Sequence, residues 1–295
     1  MLPCLLQYGR PLRKVAAGLL RIGTGEVEIS SDIAGPNDKG GEGLWRVTPI
    51  PEDICFIGVD GCKSGWLAVM QSASIFEEGR VEIFRTFADL IEGAPNSAII
   101  AVDMPIGLPD TSIGGGREPE LAVRSILGPR RSSVFSVPSR SAVYAFSEGY
   151  AKVCSVARAT SMPPWAPSKQ AFWIFPRIQD VDRVLRADKG ASARVFEVHP
   201  ELAFRVMNGA PLLEPKKRKG RCHEPGMQLR RDLLKRQGFA STFLDRPPPR
   251  GAARDDFYDA CACTWSARRL LASKAMVFPS EPSFDAHGLV MAIWA

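Results

Sequence analysis

Two short apolar runs, each followed by an aspartate, constrain this chain more than any other feature. The first run covers residues 54–59 and precedes Asp60, and the second covers 98–102 and precedes Asp103. Short runs rich in Ile and Val, bounded by turn-forming residues, predict buried strands. Active sites of open α/β sheets form beyond the carboxyl ends of strands, so these two acids can converge. One such aspartate alone is more often a turn residue, but two favour a site.

The remaining pattern indicates an α/β protein with a mixed sheet. Residues 65–70 and 81–86 alternate like strands with short connections, which predicts an antiparallel meander with the first run. The run 98–102 is the most apolar, so we expect it to be central. A further strand is expected at 195–198, giving five. Helices flank the sheet, with a helical insertion at about 110–190 after the fourth strand and a last strong helix at 254–273.

A third acidic group lies at the start of that last helix. Asp256 and Asp259 are three residues apart and Asp255 and Asp259 are four apart, so either pair shares a helix face. Asp255 also suits a capping role. Asp259 suits capping less well and would repel its neighbour unless a cation were present. Oxygen ligands of this kind bind Mg²⁺ or Mn²⁺.

We therefore expect Asp60, Asp103, Asp256 and Asp259 to be metal ligands and catalytic residues. Four carboxylates around two metal ions suit the hydrolysis of phosphodiester bonds, because the ions activate water and stabilise the developing charge.

Two further polar residues are catalytic candidates. Glu197 lies inside the predicted strand 195–198, where it is either a metal ligand or a charge paired with an arginine. His199 titrates near neutrality and is either a general acid or the donor of a structural hydrogen bond.

Basic and hydroxyl side chains provide candidates for substrate binding. Guanidinium groups bind phosphate oxygens in a fork, which favours a backbone clamp, although a solvated loop is an equally good interpretation. Lys217 belongs to a basic run, 216–219, that either lines a substrate path or is merely exposed. The other candidates of this group are Arg130, Arg131, Ser133 and Arg140.

Five separated motifs resemble domain-of-unknown-function family 429, whose members are regarded as predicted nucleases of the RNase-H-like superfamily. The motifs are Ile57-Gly-Val-Asp60, Ala101-Val-Asp103-Met-Pro-Ile-Gly, Gly128-Pro-Arg-Arg-Ser-Ser-Val-Phe-Ser-Val-Pro-Ser-Arg140, Phe196-Glu-Val-His-Pro-Glu201 and Asp255-Asp-Phe-Tyr-Asp-Ala260.

The resemblance covers about residues 54–294. It implies an RNase-H-like fold with metal-binding acids on the first strand, the fourth strand and the final helix. Resolvases of that superfamily carry Asp-x-x-Asp-Ala on this helix, which Asp256 to Ala260 match. The chain departs from the family pattern at Arg117-Glu-Pro-Glu120, where Arg-x-Cys-Asp is common.

Composition sets the broader expectations. The formal charge of +6 suits a polyanionic partner, here nucleic acid of unknown type. Seven scattered cysteines favour a reducing compartment, and no apolar run is long enough for a membrane span, so we expect a cytoplasmic protein. Residues 1–53 are dense in turn formers near their end and are expected to be a flexible extension before a domain at 54–295.

Two other functions remain open from the sequence. The first is a catalytically silent nucleic-acid-binding or scaffold protein of the same fold. The second is an actin-like or sugar-kinase-type phosphotransferase, disfavoured because such enzymes use two domains of this kind. A P-loop is excluded because Cys62 precedes Lys63 where a glycine is required.

Overall fold

A computed structural model describes residues 54–73 and 79–295, so the extension expected at 1–53 lies outside the described residues. The predicted five-stranded mixed sheet is confirmed. Its strands are β1 (Cys55–Cys62), β2 (Gly65–Ser72), β3 (Arg80–Phe84), β4 (Ile99–Val102) and β5 (Val195–Glu197).

The strand order is β3-β2-β1-β4-β5. The first three strands form the expected antiparallel meander, and β4 and β5 are added parallel to β1. The middle position belongs to β1, while β4 has partners on both sides and is fully buried. The apolar run 98–102 therefore predicted an interior strand correctly, although not the middle one.

Helices fill the chain between β4 and β5, as the predicted insertion requires. A two-residue strand pair, Ser112–Ile113 with Ser161–Met162, accompanies them. The helix α1 (Phe87–Gly93) precedes β4. The insertion contains α2 (Glu118–Leu127), a 3₁₀ turn (Gly128–Ser133), α3 (Arg140–Tyr144), a 3₁₀ turn (Ala145–Glu148), α4 (Tyr150–Ala159), α5 (Lys169–Ala187) and α6 (Lys189–Arg194).

Within the insertion, the apolar spacing of residues 139–159 suits one helix, but the structure divides this stretch into α3, a 3₁₀ turn and α4. Gly149 has a φ of 92°, a conformation that favours glycine, and it separates the 3₁₀ turn from α4. Apolar spacing alone does not reveal such a break, because the residues on both sides still bury one face.

The chain after β5 supplies the helices of the other side of the sheet. They are α7 (Pro200–Asn208), α8 (Glu224–Arg236), α9 (Ser241–Leu244) and α10 (Arg254–Leu271), with a small hairpin, Lys217–Arg218 and Arg221–Cys222, between α7 and α8. The helix α10 packs on β1, β2 and β4 on one side and on α7 and α8 on the other. It is consequently buried on almost all sides from Phe257 to Ala267, not along one stripe.

The strands β6 (Val277–Phe284) and β7 (Val290–Trp294) form a C-terminal hairpin that the sequence pattern did not indicate. Pro279 and Pro282 within β6 hide the strand signal, because proline is tolerated only at sheet edges and bulges. An isolated bridge from Trp294 to Val198 attaches this hairpin beside β5. The carboxylate of Asp285 accepts a bond of 3.0 Å from the backbone N–H of Leu108, so the hairpin also fixes the loop after β4.

Two expectations from composition can be compared with the described residues. Their six cysteines are all unpaired thiols. No helix in this part of the chain is both long and apolar enough to cross a membrane.

Candidate functional site

Asp60 and Asp103 lie beside each other on neighbouring parallel strands. Val59 pairs with Val102 in the β1–β4 ladder, and the backbone N–H of Asp103 donates to the carbonyl of Val59 at 2.9 Å. Asp60 does not end its strand, because β1 continues to Cys62 in its pairing with β2. It lies where β4 stops covering β1, which explains how two acids reach the same edge.

Gly58 brings the final helix onto β1 at this point. A Cβ atom at Gly58 would collide with the carbonyl oxygen of Ala260 and the backbone nitrogen of Thr264. Side chains two residues apart on a strand share a face, so Asp60 faces α10 as Gly58 does. Asp259, next to Ala260, is thereby brought to Asp60.

The electrostatics of Asp60 agree with this placement. Burial raises the pKa of Asp60 well above its ordinary value, and the negative charges of Asp103 and Asp259 raise it further. The pKa of Asp103 is also raised, by burial first, while His199 and Lys216 oppose the shift. Burial raises the pKa of Asp259 to about 6, although Lys216 lowers it. Three of the predicted acids therefore lie close enough for their negative charges to repel one another.

Asp255 and Asp256 take different roles at the start of α10. The carboxylate of Asp256 accepts the backbone N–H of Ala253 at 2.8 Å, so Asp256 supplies the cap that we expected from Asp255. Asp255 is buried beside Asp259, one helical turn away. Asp256 is half-buried and its charge still contributes to the raised pKa of Asp60. Asp255 therefore lies on the buried side of the first turn of α10, and Asp256 lies on its half-exposed side.

Lysines of the small hairpin neutralise part of this cluster. The ammonium of Lys216 contacts the carboxylate of Asp259 and lies 3.9 Å from that of Asp255. Lys217 binds Asp255 at 2.6 Å. Burial would lower the pKa of Lys216, but the charges of Asp259 and Asp60 outweigh it and raise this pKa. The basic run therefore includes an internal counterion of the acidic cluster, a role that its composition did not reveal.

Glu201 is a further buried acid near the cluster, and its sequence pattern indicates only a place in a first helical turn. It lies in the first turn of α7, and its negative charge contributes to the raised pKa values of Asp103 and Asp259. One oxygen, Oε1, pairs with Arg230. The other, Oε2, is buried and has no hydrogen-bond partner among the described residues.

Glu197 is held by an arginine instead. Its Oε1 lies 2.6 Å from a guanidinium nitrogen of Arg117, and its Oε2 accepts the backbone N–H of Ile106 at 2.7 Å. Glu120 binds the same guanidinium at 2.5 Å. Burial raises the pKa of Glu197 to about 7 although Arg117 lowers it. Of the two interpretations left open for Glu197, the geometry favours the charge pair, and Glu120 shares that pair.

His199 joins the site to the 3₁₀ turn that carries Arg130 and Arg131. Its Nε2 lies 3.3 Å from the carbonyl oxygen of Ser133, and its charge lowers the pKa of Asp103. The hydroxyl of Ser133 donates to the carbonyl of Arg130 at 2.8 Å, so it stabilises the turn itself. Arg131 is exposed and Arg130 is half-buried. The turn thus lies next to Asp103, with one arginine open to solvent.

Arg140 is engaged elsewhere. It binds Asp182 at 2.9 Å and Asp285 at 2.6 Å, which joins the insertion to the C-terminal hairpin. Arg177 of α5, which the sequence analysis did not single out, lies across Gly61 and donates to the carbonyl of Cys62. It therefore places a guanidinium one residue from Asp60.

The carboxylate oxygens of this cluster are suitable ligands for a divalent cation, but the side chains are not arranged around a common point. Within residues 54–73 and 79–295, no three His, Cys, Asp or Glu side chains already converge as a ligand set. The carboxylate oxygens are of the type that Mg²⁺ and Mn²⁺ prefer. The oxygen of Glu201 that lacks a partner among the described residues, and the mutual repulsion of Asp60, Asp103 and Asp259, make this edge attractive to positive charge, part of which Lys216 supplies.

The fold and this edge define a mixed α/β protein with an acidic site formed by two parallel strands and a helix. Residues 58–283 match the family model described as "Protein of unknown function (DUF429)", and the chain belongs to that family. No curated protein and no solved structure gave a match.

Proposed function

We propose that this protein is a metal-dependent nuclease of RNase-H-like fold, which hydrolyses phosphodiester bonds with Mg²⁺ or Mn²⁺. The observation that carries the proposal is the meeting of Asp60 from β1, Asp103 from β4 and Asp259 from the final helix. These are the three elements on which the family resemblance implies metal-binding acids. Asp256, beside Asp60 and partly open to solvent, is the fourth ligand of the proposal.

Cation binding requires a rearrangement of the hairpin. Because Lys216 neutralises Asp259, its ammonium must leave when a divalent ion enters. The four carboxylates would then turn toward the ion as oxygen ligands. Bound ions at such a site lower the pKa of a water molecule and stabilise charge on the attacking and leaving oxygens.

The chain's own residues account for the remaining steps. Asp103 and Asp60 would orient the attacking water, which releases a proton to bulk solvent as its oxygen forms a bond to phosphorus and the ester P–O bond breaks. His199, next to Asp103, donates the proton that the leaving oxygen takes up. Around this edge, the cations of Arg131, Arg177 and Lys217 provide contacts for backbone phosphates.

The test is cleavage of single-stranded, duplex, hybrid and branched nucleic acids by the full chain, with Mg²⁺, Mn²⁺ or EDTA. We expect cleavage with metal only, and a loss of at least about 100-fold in Asp60→Asn, since one electrostatic group at a reacting centre is commonly worth that much. The matched control is Asp232→Asn, which changes an aspartate whose side chain is 51% exposed on α8. Equal rates in Asp60→Asn and wild type would refute the assignment.

A second function is favoured by one observation. Lys216 already supplies a positive charge to the cluster, which is what a catalytically silent nucleic-acid-binding protein would need to stay folded without metal. Binding of the same substrates with and without EDTA, and no cleavage by wild type or by Lys216→Met, would support it. An ATP hydrolysis assay on the same samples tests the phosphotransferase alternative.

A further inference from the structure

Glu201 differs from the other buried glutamates of the described chain. Glu201 is only 6% exposed to solvent. It lies in the first turn of α7, which follows β5 in the chain. Since β5 is parallel to β4, that turn meets the same sheet edge as Asp103. Glu201 thus approaches the acidic cluster from the helix that follows β5, the third strand at this edge.

Glu197 and Glu120 are buried glutamates with a structural role, because both carboxylate oxygens of each accept hydrogen bonds. Both oxygens of Glu197 are occupied, by Arg117 and by the backbone N–H of Ile106. Both oxygens of Glu120 accept bonds from Arg117, at 2.7 and 2.5 Å. Glu201 uses only Oε1, and its buried Oε2 lacks a donor within the part of the chain that the structure describes.

Arg230 fixes the orientation of Glu201. This arginine is fully buried, stacks over the ring of Phe204 at 5.4 Å and donates to the carbonyl of Gly226 at 2.8 Å. The Nε of Arg230 is also buried without a partner among the described residues, so this guanidinium binds Glu201 through Oε1 alone and leaves Oε2 open. A buried charged oxygen without a partner is costly, so a ligand at that position would be stabilising.

The ligand that fits is a cation. Glu201 is electrostatically coupled to Asp103 and Asp259, two acids of the proposed metal site. An anion or a neutral acceptor would be repelled there. We infer that Glu201 is a further carboxylate ligand of the divalent-cation site, binding through Oε2 while Arg230 holds Oε1; this inference rests on the proposed metal-dependent function.

The experiment is Mn²⁺ titration of the full chain, followed by thermal unfolding and by electron paramagnetic resonance of free Mn²⁺. We compare wild type, Glu201→Gln and the matched control Glu120→Gln, which also changes a buried, arginine-paired glutamate. Glu201→Gln should weaken Mn²⁺ binding by at least about 10-fold. Even the loss of a residue that only hydrogen-bonds to a metal ligand commonly costs that much affinity. Glu120→Gln should lower the melting temperature and keep the wild-type affinity.

A double variant, Glu201→Gln with Arg230→Met, covers the case in which the single variant does not fold, because it removes the buried guanidinium left without its anion. Wild-type affinity in either Glu201 variant would overturn the inference and leave the proposed function standing. No Mn²⁺ binding by wild type itself would remove the proposed function, and Glu201's role with it.

Discussion

Gly58 on β1 and Ala260 on α10 are packed so closely that nothing larger than hydrogen fits at position 58. This contact sets the depth at which the final helix lies on the sheet, and therefore the approach of Asp259 to Asp60. Thr264, one turn further, donates its hydroxyl to the carbonyl of Val69 at 3.0 Å and holds the helix to β2.

Gly58→Ala is therefore expected to lower the free energy of unfolding by about 1–3 kcal/mol, the usual effect of overpacking. It should also weaken Mn²⁺-induced stabilisation, because α10 is displaced from Asp60. Chemical denaturation with and without Mn²⁺ measures both effects. Gly190→Ala in α6, where an added Cβ would lie 3.2 Å from the carboxylate of Asp188, is the control and should change the free energy of unfolding by less than about 1 kcal/mol. An unchanged unfolding midpoint for Gly58→Ala would contradict the contact.

Lys216→Met should destabilise the metal-free protein and tighten Mn²⁺ binding by about tenfold. The physical reason is that Lys216 neutralises Asp259 without metal and competes with a cation for it; charged hydrogen bonds contribute about 1.5–3 kcal/mol. Thermal unfolding and Mn²⁺ titration give the two readouts. Lys219→Met, at an exposed position of the same hairpin, serves as the reference. Weaker Mn²⁺ binding in Lys216→Met would show that the lysine supports the site instead of competing.

Affinity for Mn²⁺ should rise with pH through about 6. Burial raises the pKa of Asp259 to about 6, so below this pH a proton occupies the ligand, and above it the carboxylate is free. Displacement of one proton per ion gives about a tenfold change in affinity per pH unit between pH 5 and 6. The raised pKa values of Asp60 and Asp103 act in the same direction.

Calorimetric titration from pH 5 to 8 checks this dependence, with Asp259→Asn as the comparison. The variant should bind Mn²⁺ more weakly and show a smaller change of affinity near pH 6, because Asp60 and Asp103 still titrate. A dissociation constant that stays constant between pH 5 and 7 would speak against Asp259 as a ligand.

Arg117→Met should lower the free energy of unfolding by about 3–5 kcal/mol at pH 8, because it leaves Glu120 and Glu197 buried without a counter-charge. The loss should be smaller at pH 5.5. The pKa of Glu197 is about 7 beside Arg117 and would be higher without it, so at pH 5.5 the folded variant keeps this carboxyl protonated. Raising the pH then favours the unfolded chain, whose carboxyls ionise near their ordinary pKa.

Urea denaturation at both pH values measures the Arg117→Met effect. The control is Arg80→Met, which removes an exposed ion pair with Glu82 and should change stability by less than about 1 kcal/mol. If Arg117→Met lowered the free energy of unfolding equally at pH 5.5 and pH 8, ionised glutamates would not be the cause of the loss.

The local order of the chain determined the strands and the places of the acids. Short apolar runs of this kind predict buried strands, and an aspartate that follows one is expected near the edge where pairing with a neighbouring strand stops. Asp60 and Asp103 could be selected for this reason, and Asp259 could be selected because it shares a helix face with Asp255 or Asp256. The proline-bearing strand β6 was missed because its residues lack the apolar alternation of a strand.

Which charges meet depends on the fold as a whole. Glu197 and Glu201 stand four residues apart in one motif, yet Arg117 pairs with the first, while one oxygen of the second has no partner within the part of the chain that the structure describes. Lys216 lies in a basic run that has no distinguishing pattern, and a turn of the chain brings it to Asp259. Ion pairing depends on distances across the fold, which the order of residues along one segment does not contain.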